Sequence, residues 1–280
     1  MEHNNPYSGT NFDLSGKTAV VTGGLGLLGK EFSKALISAG ANVVIGDIDK
    51  THLSKVKDEI NEQFQESTVS VVQLDVTNNR SISDFLGQIE KNNGGIDILV
   101  NSAAVDPKFE KESELSEFTR FENFPLTAWN ESLDVNLTGA FQMTQAVCGI
   151  MEKIGKGSII NIGSNYGLVG PNQRLYKRKG ETKQPYKPVV YSVCKAALIG
   201  FTKYLAAYYT GTEIRINMLT PAGVFNNHDD EFVEKYSART ILGRMSEKDE
   251  YWGSIVFLAS DASSYMTGAN LIVDGGWTTL

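Results

Sequence analysis

The stretch Thr22-Gly23-Gly24-Leu25-Gly26-Leu27-Leu28-Gly29 decides the fold of this chain. The apolar run before it, residues 18–21, is typical of a buried strand, and the apolar spacing after it, over residues 28–36, is helical. Glycines at such a turn let the backbone bend sharply and let the helix pack closely on the strand. The stretch therefore predicts a strand, a glycine turn and a helix in that order.

The start of that helix favours an anion, because its first backbone N–H groups are free and its dipole attracts negative charge. Gly24, Gly26 and Gly29 have the G-x-G-x-x-G spacing of turns that hold a dinucleotide pyrophosphate. The next strand-like run ends in Asp47, at roughly the 20-residue distance expected for a carboxylate that bonds the adenosine ribose. No arginine follows Asp47, so a 2′-phosphate would meet negative charge, and we predict NAD rather than NADP.

Length and composition limit the class of protein. A chain of 280 residues, 41% hydrophobic and with a net charge of −7, predicts one large soluble α/β domain and argues against nucleic acid as a partner. We find no apolar run of membrane-spanning length and no signal peptide, so we expect a cytoplasmic protein without a membrane partner. Two cysteines are too few for a disulfide framework, and the three scattered histidines predict no metal site.

Strand-like and helical patterns alternate along the chain. Residues 1–13 are polar and predict a loose arm, whereas residues 14–280 show neither linker nor repeat and predict a single domain. Seven strand-like runs alternating with helices predict a doubly wound parallel sheet of the Rossmann type with helices on both faces. The strand-like runs cover residues 18–21, 42–46, 69–74, 96–100, 158–162, 214–219 and 270–273, and helical patterns separate them at about 28–36, 50–66, 80–93, 127–153, 187–209 and 246–260.

Ligands of such a sheet bind beyond the carboxyl ends of its strands. Those ends carry Asp75-Val76, Asn101-Ser102-Ala103-Ala104, Gly163-Ser164 and Pro221-Ala222-Gly223. Asp75 can reach an adenine amino group, and the small residues 102–104 leave room for a flat cofactor. A tight turn explains the small residues almost as well.

Tyr191 and Lys195 are four residues apart on a predicted helix, which places a phenol and an ammonium on one face. A free tyrosine has a pKa of about 10, and a nearby cation favours the phenolate by about 1.4 kcal/mol for each unit of pKa. An isolated Tyr-x-x-x-Lys pair is usually an ordinary helix surface contact. This pair follows Ser164 in a dinucleotide-binding frame, so we predict that Tyr191 is an acid/base.

From about residue 14 to its end the chain resembles the short-chain dehydrogenase/reductase family in its short, single-domain form. The resemblance implies NAD-dependent interconversion of a secondary alcohol and a ketone by direct hydride transfer, in a homodimer or homotetramer. It is carried by the Thr22-Gly23 turn, Asp47, Asp75-Val76, Asn101-Ser102-Ala103-Ala104, Asn136, Ser164, Tyr191 with Lys195, Pro221-Ala222-Gly223, Thr267-Gly268 and Val273-Asp274-Gly275-Gly276.

The resemblance implies a role for each catalytic residue. Tyr191 exchanges the substrate proton, and Ser164 hydrogen-bonds the reacting oxygen. Lys195 holds the nicotinamide ribose and depresses the tyrosine pKa, while Asn136 holds a water that links Lys195 to solvent. The implied cofactor contacts are Gly23, Leu25, Gly26, Leu27, Leu28, Gly29, Asp47, Ile48, Asp75, Val76, Asn101, Ser102, Ala103, Tyr191, Lys195, Pro221, Gly223 and Val224.

Three features depart from the family's usual pattern. The middle glycine of the turn comes one place early, as in the family's longer, sugar-nucleotide-modifying branch. The threonine that often follows Pro221-Ala222-Gly223 is absent, so an expected pyrophosphate hydroxyl is lost. An insertion at about 170–188 separates Ser164 from Tyr191, and it sets six cations against Glu181: Arg174, Lys177, Arg178, Lys179, Lys183 and Lys187.

The insertion leaves two interpretations open. Its cations face an anionic substrate at the catalytic site, or they pair with a second, acidic insertion at about 106–124. A weaker similarity to bacterial oxidoreductases of sugar acids and of surface-glycan or flagellin sugar biosynthesis suggests a sugar, sugar acid or sugar nucleotide as the small-molecule substrate. The alternative function is a catalytically silent NAD-binding sensor or scaffold.

The last predicted flank of the site is residues 224–245. Phe225, Phe232, Tyr236 and Met245 predict a mobile lid over the substrate, and His228 is interpreted as a polar loop residue. Cys194 is interpreted as a small helix-packing residue, with a redox switch as the alternative.

Overall fold

A computed structural model describes residues 5–64, 69–106, 117–180 and 182–280. Within them, seven parallel strands form one sheet in the order β3-β2-β1-β4-β5-β6-β7. The strands are β1 Thr18–Thr22, β2 Asn42–Asp47, β3 Val69–Gln73, β4 Ile98–Asn101, β5 Lys156–Ile162, β6 Glu213–Pro221 and β7 Asn270–Val273. The predicted doubly wound α/β sheet is confirmed.

Helices cover both faces of this sheet. Along β1, Val21 packs into a core with α1, α2 and α8, and Val20 packs into a second core with α3 and α5, because successive strand side chains point to opposite faces. The helices are α1 Leu27–Ser38, α2 Lys50–Gln63, α3 Asn79–Asn93, α4 Leu126–Leu133, α5 Ala140–Ile154, α6 Val189–Tyr208, α7 Asp230–Ser237 and α8 Trp252–Ala259.

The glycine turn owes its shape to close backbone approaches. Gly23 has a φ of +65°, and a Cβ there would lie 2.5 Å from the Ala103 Cα. A Cβ on Gly29 would collide with the Gly23 carbonyl oxygen. The Thr22 hydroxyl accepts the N–H groups of Ser102 and Ala103, both at 3.1 Å. The turn after β1 is therefore fixed against the chain that leaves β4.

The helical pattern predicted over residues 127–153 is interrupted. A π-helical segment, Asp134–Gly139, separates α4 from α5. A Cβ on Gly139 would lie 2.6 Å from the Val76 Cγ2, so the close approach of this segment to the end of β3 requires glycine. Apolar periodicity cannot reveal one extra residue in a helical turn, which is why the sequence predicted a continuous helix.

Helix α6 was not expected to be a membrane-span candidate, yet its 20 residues are long and apolar enough to cross a membrane by length and composition. Its buried residues Val190, Leu198 and Thr202 lie on the face packed within the domain. The same helix carries Tyr191 and Lys195. Packing within the domain accounts for part of this apolar character, because 28% of the apolar stretch is buried.

The N-terminal segment is a set of hydrogen-bonded turns over its described part, where the sequence predicted a loose arm. The Asn5 Nδ2 donates to the Asp13 Oδ1 at 2.8 Å and to the Ala39 carbonyl at 3.0 Å. The Asp13 carboxylate also accepts the Ser15 hydroxyl and the N–H groups of Ser15 and Gly9. These bonds, with that of Ser15 first, lower the pKa of Asp13 to about 2.

We expect Asp13→Asn to lower the free energy of unfolding by about 1 kcal/mol at pH 6, because donors would then face donors in this turn. The folded-state pKa lies below the ordinary value of 3.8, so the stabilisation is complete above about pH 4 and disappears as the pH falls towards 2. Urea unfolding of the wild type and the variant at pH 6 and pH 3 measures this difference in the free energy of unfolding. Asp58→Asn, on the exposed face of α2, is the control, and an equal loss at both pH values would contradict the linkage.

Candidate active site

A cavity of about 850 Å³ lies beyond the carboxyl ends of β1, β2, β4, β5 and β6. The strand order reverses between β1 and β4, and such a reversal opens the crevice in which doubly wound sheets bind ligands. The predicted cofactor residues that line the cavity are Gly23, Gly26, Leu27, Leu28, Gly29, Asp47, Ile48, Asp75, Val76, Ser102, Ala103, Tyr191, Lys195, Pro221, Gly223 and Val224.

Two predicted cofactor residues, Leu25 and Asn101, lie outside this lining and form hydrogen bonds with residues next to the cavity. The backbone N–H of Leu25 donates to the Asp47 Oδ2 at 3.0 Å. The side-chain amide of Asn101 is buried and donates to the Thr144 hydroxyl and the Asn161 Oδ1, both at 2.9 Å. Asn101 therefore ties the ends of β4 and β5 to α5.

The glycine-turn end of the cavity fits the diphosphate of a dinucleotide. Gly26 and Leu27 line it at the N-terminus of α1, and no side chain of the described chain caps that terminus. Its N–H groups are therefore left to a ligand, and an anion is favoured there. Gly23 and Gly29 let the turn pack tightly against Ala103 and against itself, and a Cβ on Gly26 would meet only the Gly23 carbonyl oxygen, at 3.1 Å.

Asp47 lies at the end of β2 with its carboxylate turned towards that turn. Its Oδ2 accepts the Leu25 N–H, and its Oδ1 accepts the Asp49 N–H at 3.1 Å. Two backbone donors thus hold the carboxylate at the rim where a ribose would lie. Asp75 is held similarly by Thr77, whose N–H and hydroxyl both donate to the Asp75 Oδ1. Its adenine contact stays a prediction.

Ser164, Tyr191 and Lys195 meet at the other end of the cavity. Ser164 follows β5, Tyr191 lies in the first turn of α6, and Lys195 lies one turn further on. The Lys195 Nζ donates to the Ile162 carbonyl at 2.8 Å and lies 5.8 Å from the centroid of the Tyr191 ring. The predicted proximity of these three side chains is present in the structure.

Burial sets the ionisation of the pair. It raises the pKa of Tyr191 to about 12, against a smaller lowering by the hydrogen bond from Ser164. It also lowers the pKa of Lys195 to about 8. The sequence predicted a depressed tyrosine pKa, and this prediction is wrong for the protein without cofactor, because desolvation is the largest effect on the phenol. Tyr191 and Lys195 are both protonated at pH 7.

Asn136 lies in the π-helical segment and is buried outside the lining. Its Oδ1 accepts the Val105 N–H at 2.7 Å, and its Nδ2 donates to the Val105 carbonyl at 2.8 Å. The side-chain amide thus fixes the chain after β4. The predicted role in holding a water stays a prediction, and the side chain has a structural task as well.

An aromatic wall faces Tyr191. It is formed by Tyr166, Tyr176, Phe232 and Tyr236, with Met245 beside them. Residues 224–245 supply part of it through α7, and the pairing of Val224 with Ser246 closes the base of this segment. Residues 224–245 therefore lie at the cavity, where the lid was predicted. The mobility of this segment stays a prediction.

The polar groups on this wall are few. The Tyr236 hydroxyl accepts the Gly223 N–H at 2.5 Å, which joins α7 to the chain after β6. His228 lines the cavity and stacks on Phe232 with ring centroids 5.0 Å apart. Burial lowers the pKa of His228 below its ordinary value, so a neutral imidazole is available there as a hydrogen-bonding group.

The basic insertion contacts the segment that contains α7 through one ion pair and through backbone hydrogen bonds. The Arg178 guanidinium lies 3.4 Å from the Asp229 carboxylate, and the Lys179 N–H donates to Glu231. Lys187 alone among its six cations lines the cavity, where it forms an ion pair with Asp106. This is one pairing between the two insertions. Glu181 and residues 107–116, with most of the acidic insertion, lie outside the described residues.

Several residues at the site were missed by sequence reasoning. Asp106, Asn165 and Tyr176 line the cavity, and each lies in a loop where no periodic pattern marks it. A sharper signal existed for Lys187, because it precedes Tyr191 by the same four residues by which Lys195 follows it. Cys194 is fully buried with its Sγ 3.7 Å from the Ser132 carbonyl, as a packing residue would be.

The fold, the glycine turn and this catalytic end define a class of nicotinamide-dinucleotide oxidoreductases. A family model described as enoyl-(acyl carrier protein) reductase matches residues 27–278. The chain belongs to the short-chain dehydrogenase/reductase family, whose members act as oxidoreductases on alcohol groups. The resemblance drawn from the sequence is confirmed.

Three curated relatives show the range of activities in this family. A 3-alpha-(or 20-beta)-hydroxysteroid dehydrogenase of Mycobacterium bovis is 34% identical, with 94% of this chain and 90% of the relative covered. A 2-dehydro-3-deoxy-D-gluconate 5-dehydrogenase of Bacillus subtilis is 33% identical over 95% and 96% of the two chains. A post-translational flagellin modification protein A of Campylobacter coli is 29% identical over 94% and 99%.

Solved structures agree on the fold and differ in cofactor. A gluconate 5-dehydrogenase of Burkholderia cenocepacia, in complex with NADP and tartrate, has a TM-score of 0.82 at 28% identity, covering 96% of this chain and 98% of that one. A short-chain dehydrogenase of Leptospira borgpetersenii with bound NAD+ has a TM-score of 0.81 at 32% identity, covering 96% and 95%.

Proposed function

We propose that this protein is an NAD-dependent dehydrogenase that interconverts a secondary alcohol and a ketone, with Tyr191 as the acid/base. The observation that supports it best is that Ser164, Tyr191 and Lys195 line the same cavity as the glycine turn. A binding module has no need for these three side chains together. That argues against a silent NAD sensor or scaffold of the same fold.

The proposed mechanism assigns one task to each side chain. Ser164 donates a hydrogen bond to the substrate oxygen and orients it towards Tyr191. In the oxidation direction the ionised form of Tyr191 takes the hydroxyl proton, and in reduction the Tyr191 hydroxyl donates that proton to the substrate oxygen. NAD, when bound, supplies the hydride acceptor and a positive charge. Lys195, buried and cationic at pH 7, stabilises the phenolate and is placed to bond the ribose.

The choice of NAD rests on Asp47. Its carboxylate is fixed by the N–H groups of Leu25 and Asp49, so it cannot turn away from a phosphate without breaking two hydrogen bonds. A 2′-phosphate beside it would place like charges together, which costs several kcal/mol in a desolvated site. The family includes proteins solved with either cofactor, so membership of the family does not decide between NAD and NADP. The proposal of NAD therefore depends on the Asp47 carboxylate.

The cavity wall favours a sugar or a sugar acid as substrate. Aromatic rings such as Tyr176 and Phe232 suit the apolar faces of a sugar ring. Asn165 and His228 can bond its hydroxyl groups. Five of the six insertion cations lie outside the lining, so the site offers little to a nucleotide diphosphate. Among the relatives, the gluconate-type enzymes agree with this substrate class.

A substrate screen tests the proposal. We expect NAD reduction, followed at 340 nm, with polyols, aldoses or aldonic acids, and lower kcat/KM with nucleotide sugars and hydroxysteroids. Arg178→Gln, outside the cavity, should leave the preferred substrate's KM within about twofold, because its pairing with Asp229 is exposed. Turnover of a hydroxysteroid alone would contradict the substrate class, and NAD binding without turnover of any alcohol would favour the sensor.

We also propose a homodimer or homotetramer. The outer faces of α5 and α6 expose Phe141, Val193, Tyr204 and Tyr208, and apolar surface of this kind is typical of protein interfaces. Multi-angle light scattering of the purified chain measures the mass. The cytoplasm stays the proposed compartment, and the free, buried Cys148 and Cys194 are compatible with it.

A further inference from the structure

A second lysine lies against the ring of Tyr191. The Lys187 Nζ is 4.1 Å from the ring centroid, closer than the 5.8 Å of the Lys195 Nζ. Lys187 precedes α6 and lines the cavity. A cation at this distance over an aromatic ring is attracted by its π electrons.

Two independent contacts hold Lys187 in this place. Its ammonium is paired with Asp106, and its side chain is only 14% exposed. Its backbone N–H donates to the Gln173 Oε1 at 2.9 Å, and the Gln173 Nε2 donates back to the Lys187 carbonyl at 3.5 Å. Gln184 anchors this arrangement through the Gln173 carbonyl at 2.6 Å. The basic insertion therefore positions one lysine beside the catalytic tyrosine.

We propose that Lys187 is a second positioning lysine for the acid/base Tyr191, placed by the insertion and by Asp106 to stabilise the phenolate that accepts the substrate proton in oxidation and that remains after Tyr191 donates a proton in reduction. This inference rests on the proposed function. It gives the insertion a task in catalysis that differs from binding a charged substrate.

The physical reason is the negative charge that Tyr191 carries before it accepts a proton in oxidation and after it donates one in reduction. A phenolate ring is richer in electrons than a phenol ring, so a cation over its face stabilises the ionised form more strongly. Burial opposes ionisation of Tyr191, which makes any nearby cation more effective. The Asp106 carboxylate opposes ionisation as well, and its ion pair with Lys187 places the ammonium between this carboxylate and the ring.

Other charged and titratable groups around the pair come from every element packed there. They are Lys195 on α6, Tyr166 after β5, Tyr176 in the insertion, His228 before α7, and Glu131 on α4. Arg178 with Asp229, and Lys235 with Glu231, pair among themselves on the far side. Lys187 and Lys195 are the cationic side chains of the described cavity lining, so substitution of Lys187 removes one of two.

The test compares pH profiles of alcohol oxidation. In Lys187→Gln we expect the acidic limb of kcat/KM to move up by about one pH unit, so that activity below the limb falls about tenfold and recovers at high pH. Lys187→Arg keeps the charge and should restore the wild-type profile. Lys183→Gln, an exposed cation of the same insertion, is the matched control. An unmoved limb, or an equal shift in Lys183→Gln, would overturn the proposal.

A second measurement does not depend on turnover. A fluorotyrosine at position 191 titrates in a range where proteins stay folded, and its ¹⁹F resonance reports its ionisation. We expect Lys187→Gln to raise the midpoint by about one unit, and Gln173→Ala to raise it by less. An unchanged midpoint would overturn the positioning role even if the enzyme is active. Absence of turnover with a shifted midpoint would instead reject the proposed function and keep the electrostatic role.

Discussion

Tyr191→Phe is expected to lower kcat by about 10²–10⁴-fold, because it removes the hydroxyl that we propose exchanges a proton with the substrate. The phenyl ring keeps the packing of α6 against the cavity. The dissociation constant of NAD should therefore change by less than about threefold. Stopped-flow single-turnover kinetics, with NAD binding by calorimetry, separates the two quantities.

The matched control is Tyr204→Phe. Tyr204 lies on the same helix, but its side chain is 66% exposed and distant from the cavity lining. We expect its kcat to remain within about twofold of the wild type. If Tyr191→Phe retained most of its turnover, the acid/base would have to be another group, and His228 would be the first to examine.

The sheet was predictable because each strand carries its own signal. β1 and β2 are short apolar runs ended by Gly23 and Asp47, and a parallel strand buried on both faces must be apolar throughout. Helix α7 was not predicted, because it carries few apolar residues and its Asp229 cap lies in a charged loop. Tertiary contacts with the insertion, which no local pattern encodes, hold it in place.

The catalytic end of the cavity was predictable for a different reason. Ser164, Tyr191 and Lys195 lie at ends of regular elements, where topology alone brings them together. The Lys187 and Asp106 pair joins two loops 81 residues apart in sequence. Its position depends on Gln173 and on the loop after β4, so only the folded chain shows that it faces Tyr191.

The spacing of Tyr191 and Lys195 in the sequence was not enough to predict the pKa of the tyrosine. A Tyr-x-x-x-Lys spacing predicts that the ammonium lowers the phenol pKa, but the structure has a Tyr191 pKa of about 12. Desolvation was not visible in the spacing, because burial depends on what packs over α6. Two lysines and a positive nicotinamide would then act together to bring the phenol into a working range.

The cofactor preference should reverse when the charge at the ribose rim is reversed. In the wild type we expect kcat/KM for NAD to exceed that for NADP by about 100-fold, since a fixed carboxylate at Asp47 would face the 2′-phosphate. Asp47→Ser with Ile48→Arg should bring this ratio below one. Ile48 is 63% exposed, so an arginine side chain has room to reach a phosphate and bind it bidentately.

The two single variants separate the contributions of positions 47 and 48 to the change in cofactor preference. Asp47→Ser alone should reduce the preference for NAD mainly by raising kcat/KM for NADP. It should also lower kcat/KM for NAD modestly, because the hydrogen bond from the Leu25 N–H is lost. Ile48→Arg alone should raise kcat/KM for NADP less than the double variant does, because the Asp47 carboxylate would pair with the new guanidinium. A wild-type enzyme that prefers NADP would contradict the reading of Asp47, and it would imply that the phosphate is accepted by cations elsewhere on the rim.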